Sequence, residues 1–535
     1  MINKVKCLLT IVFIMAFMLM IGYPVAASEQ ADSQKSLADP MPINPGEKND
    51  ATGKGGNENN ETPGEWYKGE TPKNLDVDAP ILLFVPGLNN TAQIFWEDND
   101  MYRTAHDAGY QTAFVQLYDA GGESADMWDN GELLAEKISE ISDYFNGKPI
   151  TLVAYSKGGV DSQTATTYYG AWKNVENVIT LSSPHHGSQL ADLAYSFWAG
   201  WLADLIGMQG EGTYALETGY MENFRSEMDS EPLAYQNDYF TLGGEDWGSM
   251  FSSTWFGGNY LSSYGDNDGV VTTESSNLPG GQELAIGEWD HSTIRTGLTF
   301  DVFQSYINNS ELVNYRDTTE KSNQAELTTS VGNQWIHGGA LAANDVERLS
   351  IPVEENVKGL SLDIMTATPV VIKVTDPDGK ESNLHVNPSK NVEGLFTGAF
   401  SNQIKLDHPN VGEWQVELQS NKESGYLLVA DYEANAKIQY YHARGENQNK
   451  ALTFDLTANA FNVQEDSLRA TYHVIESGNM NNVKKWSVKG NENLSQTLTF
   501  DKKNKVYNIS VDITGITKSG YPFKRTVVDS VYSGK

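Results

Sequence analysis

The chain holds a single cysteine, Cys7, among 535 residues. One thiol excludes a disulfide framework, a thiolate zinc site and a cysteine nucleophile in the mature protein. Positive charge is scarce too: 37 Lys and Arg stand against 71 Asp and Glu, a formal balance of −34. So acidic a surface repels phosphate backbones and anionic membranes, and nucleic acid is not an expected partner. After Ile21 no run approaches the ~20 apolar residues of a membrane span. What is present argues for folding: 39% hydrophobic and 11% aromatic residues exclude wholesale disorder. At roughly 100–200 residues per domain the chain should hold two to four domains.

Cys7 itself falls in a segment with the marks of an export signal. Lys4 and Lys6 precede the apolar run Leu8 to Ile21, and Val25-Ala26-Ala27 offers the small residues of a cleavage site. Residues 1–27 are therefore expected to be a signal peptide and the protein to be secreted, with no transmembrane segment after signal removal. Residues 28–75 are rich in Asn, Gly, Glu and Pro and carry few large apolar groups, which predicts a flexible leader or propeptide.

From Ala79 short apolar runs alternate with helical periodicity. Ile81–Val85, Ala113–Leu117, Ile150–Ala154 and Val178–Leu181 read as buried strands. Between Gly131 and Gly147, Leu134, Ile138, Ile141 and Phe145 recur at helical spacing, with Gly147 suited to the carboxyl cap. Strand–helix–strand alternation implies an α/β domain with a mainly parallel sheet over residues 76–318. Past 318 the helical period gives way to runs such as Leu360–Ile364, Val370–Val374, Trp414–Leu418 and Tyr507–Val511. Frequent turns, such as Asp376-Pro377-Asp378-Gly379, make this one or two all-β sandwich modules, expected at 328–445 and 446–535.

The chemistry centres on Val153-Ala154-Tyr155-Ser156-Lys157-Gly158-Gly159, a small–x–Ser–x–Gly pattern between a strand and a helix. So sharp a turn admits only small residues two before and two after the serine, which Ala154 and Gly158 supply. A serine hydroxyl needs a base to take its proton and a carboxylate to orient that base. The α/β region holds His106, His185, His186 and His291. His106 precedes the serine, and His185 and His186 leave no room for an acid loop, so His291 remains. The segment Gly265-Asp266-Asn267-Asp268-Gly269-Val270-Val271 supplies the acid: Asp268, with Asp266 as the alternative. Glu288 and Asp290 stand too close to His291 along the chain to orient it.

These motifs resemble the secreted bacterial lipases and esterases of the α/β-hydrolase superfamily over about residues 78–305. The resemblance implies Ser156 as nucleophile, Asp268 as acid and His291 as base. Val85-Pro86-Gly87-Leu88-Asn89 is similar to their oxyanion loop, implying that the backbone N–H groups of Leu88 and Lys157 form the oxyanion hole. Ser183-Pro184-His185-His186-Gly187-Ser188 is similar to the segment following their next strand. Pro86 departs from the usual histidine. Thr293 stands where many relatives carry a calcium-binding Asp, so that metal site is not expected, and an acyl-enzyme hydrolysed by water needs no cofactor. The position of Phe197, Trp198 and Trp201, with Leu202, Leu205 and Ile206, matches the lid and acyl pocket of such enzymes, against core packing as the plain alternative.

The expected function is hydrolysis of carboxylic esters, with ester or lipid substrates and an acyl-enzyme intermediate. A phospholipase, a polyester depolymerase or an acyltransferase of the same fold are the alternatives, and a surface-binding protein with an inactive hydrolase domain is the non-enzymatic one. The β modules are expected either to hold a cell-wall or polymer surface or to pack on the hydrolase. A histidine base must be neutral to act, so activity is expected at neutral to alkaline pH.

Overall fold

Ile81-Leu82-Leu83-Phe84-Val85 is buried at all five positions, as its unbroken apolar run requires of a strand covered on both faces. In this computed structural model the described residues are 37–43, 61–122, 124–248, 252, 254–308, 330–382, 389–391, 396–444, 451–458, 461–464, 466–490 and 494–534. The signal-peptide reading falls outside them. Ile81–Val85 is strand β3 of an eight-stranded sheet. Its other members are β1 (Met41–Ile43), β2 (Trp66–Lys68), β4 (Thr112–Val115), β5 (Ile150–Tyr155), β6 (Val175–Leu181), β7 (Asp238–Gly244) and β8 (Gln282–Gly287). The order is β1-β2-β4-β3-β5-β6-β7-β8. Strands β3 to β8 run parallel to their neighbours, while β1 and β2 add an antiparallel edge.

Two short pieces of the stretch expected to be a flexible leader or propeptide, Met41–Ile43 and Trp66–Lys68, form that edge. Trp66 and Tyr67 are buried, Trp66 joins the main core cluster, and its indole N–H donates to Glu140 at 3.0 Å. One large aromatic anchors a segment whose composition alone suggests a linker. Helix Met127–Tyr144 starts on Asp126, whose carboxylate accepts the N–H groups of Trp128 and Asp129, and stops before Gly147 in the left-handed conformation (φ 77°). Its buried Leu134, Ile138 and Ile141 cover the sheet.

Among the described residues from 330 on, strand pairing is antiparallel throughout. β9 (Ser330–Gly332), β10 (Gln334–Leu341), β11 (Val346–Val353), β12 (Gly359–Thr366), β13 (Val371–Thr375), β14 (Glu381–Ser382), β15 (Ser389–Lys390), β16 (Phe400–Asp407), β17 (Gly412–Gln419) and β18 (Ser424–Glu433) are followed by β19 (Ile438–Arg444), β20 (Ala451–Thr457), β21 (Arg469–Glu476), β22 (Lys484–Lys489), β23 (Gln496–Thr499), β24 (Val506–Ile516) and β25 (Pro522–Tyr532). Sheets β10-β18-β12-β16-β15 and β11-β17-β13-β14 share one core, and sheets β23-β20-β19-β9 and β22-β21-β24-β25 share another. The expected sandwiches are thus present with other bounds. β19 pairs with β20 and with β9, so the division falls before Ile438 rather than at 445.

The two sandwiches pack on the α/β region. Leu190, Leu202, Met208, Phe256 and Tyr260 share an apolar cluster with Ile336, Met365, Phe396, Leu427 and Val528. Buried acids punctuate this contact. Asp192 accepts the hydroxyls of Ser530 at 2.6 Å and Thr218 at 2.7 Å, Glu217 accepts Ser477 Oγ–H at 2.9 Å, and Asp363 accepts the Asn259 amide at 2.6 Å. Burial pushes Asp192 up to about 7 and Asp363 up to about 8, and raises Glu217 well above its ordinary value.

A carboxyl with a raised folded pKa contributes fully below its unfolded value and loses that contribution as pH rises through the folded one. For Asp363 the window runs from its ordinary 3.8 to about 8. Stability should therefore fall across that range, and Asp363→Asn should raise the thermal midpoint at pH 9 more than at pH 5. Calorimetry at the two pH values checks this; equal shifts would contradict it.

Candidate active site

Strand β5 ends at Tyr155, and the helix Lys157–Tyr168 begins two residues later. Ser156 joins them with φ 53° and ψ −134°, a conformation that side chains seldom adopt. Its N–H donates to Leu181 O at 2.9 Å, which holds the turn against β6. A Cβ on Gly158 would lie 2.4 Å from Pro86 O and 2.9 Å from Val85 O. A Cβ on Gly87 would lie 2.7 Å from Ser156 Cβ. The loop after β3 therefore packs directly on the serine turn, and glycine is needed on both sides of that contact.

Ser156 Oγ stands 3.1 Å from His291 Nε2, and His291 Nδ1 stands 2.6 Å from Asp268 Oδ2. The other carboxylate oxygen of Asp268 accepts the N–H groups of Val270 at 2.9 Å and Val271 at 2.7 Å. His291 N–H in turn donates to Asp268 O at 2.9 Å, tying the acid loop to the histidine loop. All three side chains are buried or nearly so. Asp266, by contrast, is exposed. Asp290 accepts the N–H groups of Ser292 and Thr293 and the Ser292 hydroxyl. Burial opposes its ionisation, but these donors outweigh it and hold its pKa below the ordinary value. Asp290 thus closes its own loop, while Glu288 is exposed. The Tyr155 ring packs on His291 at 4.9 Å, with the Arg295 guanidinium 5.2 Å from that ring.

Lys157 is the first residue of its helix, so its N–H lacks an intrahelical acceptor and lies at the positive end of the helix dipole. Leu88 follows Gly87 on the loop that touches Ser156, and its side chain packs on the apolar cluster below the sandwiches. Ser188 Oγ–H donates to Val270 O at 2.7 Å, which links the Ser-Pro-His-His-Gly-Ser segment to the acid loop. His185 is wholly buried and its pKa is lowered by burial; it lies in loop packing near Thr180. Among the described residues no three His, Cys, Asp or Glu side chains stand together as a metal site, and no helix is long and apolar enough to cross a membrane.

For the aromatic stripe, the contacts present are those of the packing alternative. Phe197 stacks on His473 at 4.1 Å, and Trp198 stacks on His337 at 4.4 Å while its indole N–H donates to Asp512 at 3.0 Å. Both rings are gripped by the β sandwiches. Trp201 is 56% exposed. These three side chains serve the contact with the β region or face solvent, because partners remote in sequence take their apolar faces. Sequence reasoning missed the side chain of Lys157, which is wholly buried against Asp161; its i,i+4 spacing was a legible signal.

The mainly parallel sheet with a serine turn at the end of its central strand defines an α/β-hydrolase. No family model and no curated protein matches the chain. Among solved structures, the lipase BlEst2 of Bacillus licheniformis in propeptide form is 32% identical, with 89% of this chain and 98% of that one covered and a TM-score of 0.72. The same lipase in mature form is 46% identical over 46% of this chain and 99% of that one, with a TM-score of 0.44. The chain belongs to the lipase and esterase family of the α/β-hydrolases that includes BlEst2.

The clearance at the serine turn makes a testable demand. Gly158→Ala should lower stability by about 1–3 kcal/mol, the usual cost of forcing atoms into a packed site, and displace the Pro86–Leu88 loop. Denaturant unfolding checks the first; a variant as stable as the parent would show that the turn has slack.

Proposed function

We propose that the protein is a secreted serine hydrolase of carboxylic esters. The single observation that carries the reading is the hydrogen-bonded row Ser156–His291–Asp268 at the end of the sheet. Ser156 Oγ attacks the ester carbonyl while His291 Nε2 takes its proton. Asp268, held by two backbone N–H groups, fixes the imidazole so that Nε2 faces the serine. The N–H groups of Leu88 and Lys157 stabilise the oxyanion. His291 then protonates the leaving alcohol, and water releases the acid from the acyl-enzyme. Export is supported by the basic start, the apolar run and Val25-Ala26-Ala27.

Ser156→Ala should abolish turnover of a short-chain nitrophenyl ester and labelling by a fluorophosphonate. Parental activity in that variant would reject the reading and favour another nucleophile. Absence of both labelling and ester turnover in the parental protein would favour the surface-binding alternative. A series of esters of rising acyl length, dissolved and emulsified, separates esterase from lipase; phospholipid and polyester substrates added to it test the other hydrolase alternatives.

The β region invites a second reading. The BlEst2 chain in propeptide form covers more of this chain than residues 1–318 can supply. We therefore propose that the β sandwiches act as a propeptide that stays packed on the catalytic unit until cut. This reading takes the place of attachment to a cell wall or polymer surface, because the sandwiches face the catalytic unit through the shared apolar cluster. A chain ending near Asn314 should then keep hydrolysis of a small soluble ester. If it is folded by circular dichroism and inactive, the sandwiches help to form the site.

A further inference from the structure

Lys157 is a wholly buried lysine directly after the serine. Its ammonium lies 2.9 Å from Asp161 Oδ1, 3.1 Å from Asp161 Oδ2 and 3.8 Å from Asp119 Oδ2. Asn130 bridges the two acids, its amide donating to Asp119 Oδ2 at 2.6 Å and to Asp161 Oδ2 at 3.1 Å. Its carbonyl accepts the N–H of Tyr118 at 3.1 Å. Burial disfavours the ammonium, but Asp161 and Asp119 outweigh it and hold the Lys157 pKa above its ordinary value. The cluster thus carries one basic and two acidic side chains, all buried.

A buried ion pair of this kind is a poor device for stability. Desolvation takes back most of the Coulomb gain, and apolar side chains of similar volume would fill the space at less cost. The contacts of Asp119 suggest another use. Its second oxygen accepts the N–H of Asn89 at 3.0 Å. Asn89 sits in the left-handed region at φ 55°, one residue after Leu88. The cluster therefore joins the two segments that flank Ser156: the helix start at Lys157 and the loop at Leu88. Each contributes one backbone N–H to the oxyanion hole of the reading above.

We propose that the Lys157–Asp161–Asn130–Asp119 cluster positions the oxyanion hole by fixing the helix start at Lys157 to the loop at Asn89. The inference rests on the serine-hydrolase reading. These side chains are positioning residues and touch no reacting atom. The tie sets the spacing of two N–H groups that contribute only when the carbonyl oxygen becomes an oxyanion. Loosening it should therefore lower kcat and leave KM nearly unchanged. A misplacement of about 1 Å can cost on the order of 100-fold in rate.

The test uses the full chain with Asp119→Ala, which frees the Asn89 N–H, and Lys157→Met, which keeps the apolar stem and removes the cation. Each should lower kcat for a nitrophenyl ester by about 10- to 100-fold, with KM within about threefold. Each should also weaken inhibition by a trifluoromethyl ketone, whose adduct places an oxyanion in the same hole, by a similar factor. A structural role alone would shift the thermal midpoint and leave kcat per folded molecule and ketone affinity at parental values. That pattern overturns the proposal. If Asp119→Ala does not fold, Asn130→Ala carries the same expectations. Ser156→Ala run alongside separates the two layers: its retention of turnover would sink the serine-hydrolase reading. A dead Ser156→Ala with parental kcat in the cluster variants sinks only this inference.

Discussion

Everything at the candidate site depends on the close approach of two loops, which leaves no room for a Cβ on either side. The carboxyl end of β5 must reverse into a helix within one residue, Ser156, and the loop after β3 must lie against that reversal. Glycine at 87 and 158 permits the contact, since an added Cβ at either would meet backbone or the serine itself. The strained serine backbone is held by its bond to Leu181 and by the helix that follows. That approach sets Gly87, and with it the loop that carries Leu88, against the turn from which the helix at Lys157 starts. The parallel sheet matters here because it places the ends of β3, β5, β7 and β8 at one edge. The loops carrying Asp268 and His291 flank β8, the last of these.

The acid loop shows how local hydrogen bonding chooses among chemically equal candidates. Asp266 and Asp268 are two residues apart, yet only Asp268 is buried and saturated. One of its oxygens is committed to two backbone N–H groups, which leaves the other aimed at His291. Such a carboxylate does not need to search for its partner. Asp290, nearer to His291 along the chain, spends its Oδ1 on its own turn.

The β sandwiches are bound to the catalytic unit by a contact with two characters. An apolar cluster supplies the burial, and acids sealed within it accept hydroxyl and amide hydrogens. Apolar burial is insensitive to pH, whereas acids held protonated by burial make the contact weaken as pH rises. The residues that fill this contact, including Phe197 and Trp198, are those that an isolated α/β domain would leave exposed. Their present partners come from β10, β21 and β24, more than a hundred residues away.

Much of this was written in local sequence. Ile81–Val85 and Ile150–Ala154 are strands because runs this short, largely apolar and bounded by turn residues, suit a strand covered on both faces better than a buried helix. The serine turn followed from Ala154 and Gly158, since steric exclusion in a tight reversal acts over five residues. His291 emerged by elimination, because chain order constrains which histidine the fold can return to the serine. Tertiary structure alone decided what depends on distant partners. Trp66 turned a composition typical of a linker into a sheet edge by burying one indole beside Glu140. Asp268 prevailed over Asp266 through the backbone donors of Val270 and Val271 and through burial. The aromatic stripe at 197–198 met two histidines from separate sandwiches, and Lys157 met Asp119, which Asn130 bridges to Asp161. Steric and periodic constraints act along the chain and can be read from it; burial and hydrogen-bond saturation are set by neighbours that only the folded chain supplies.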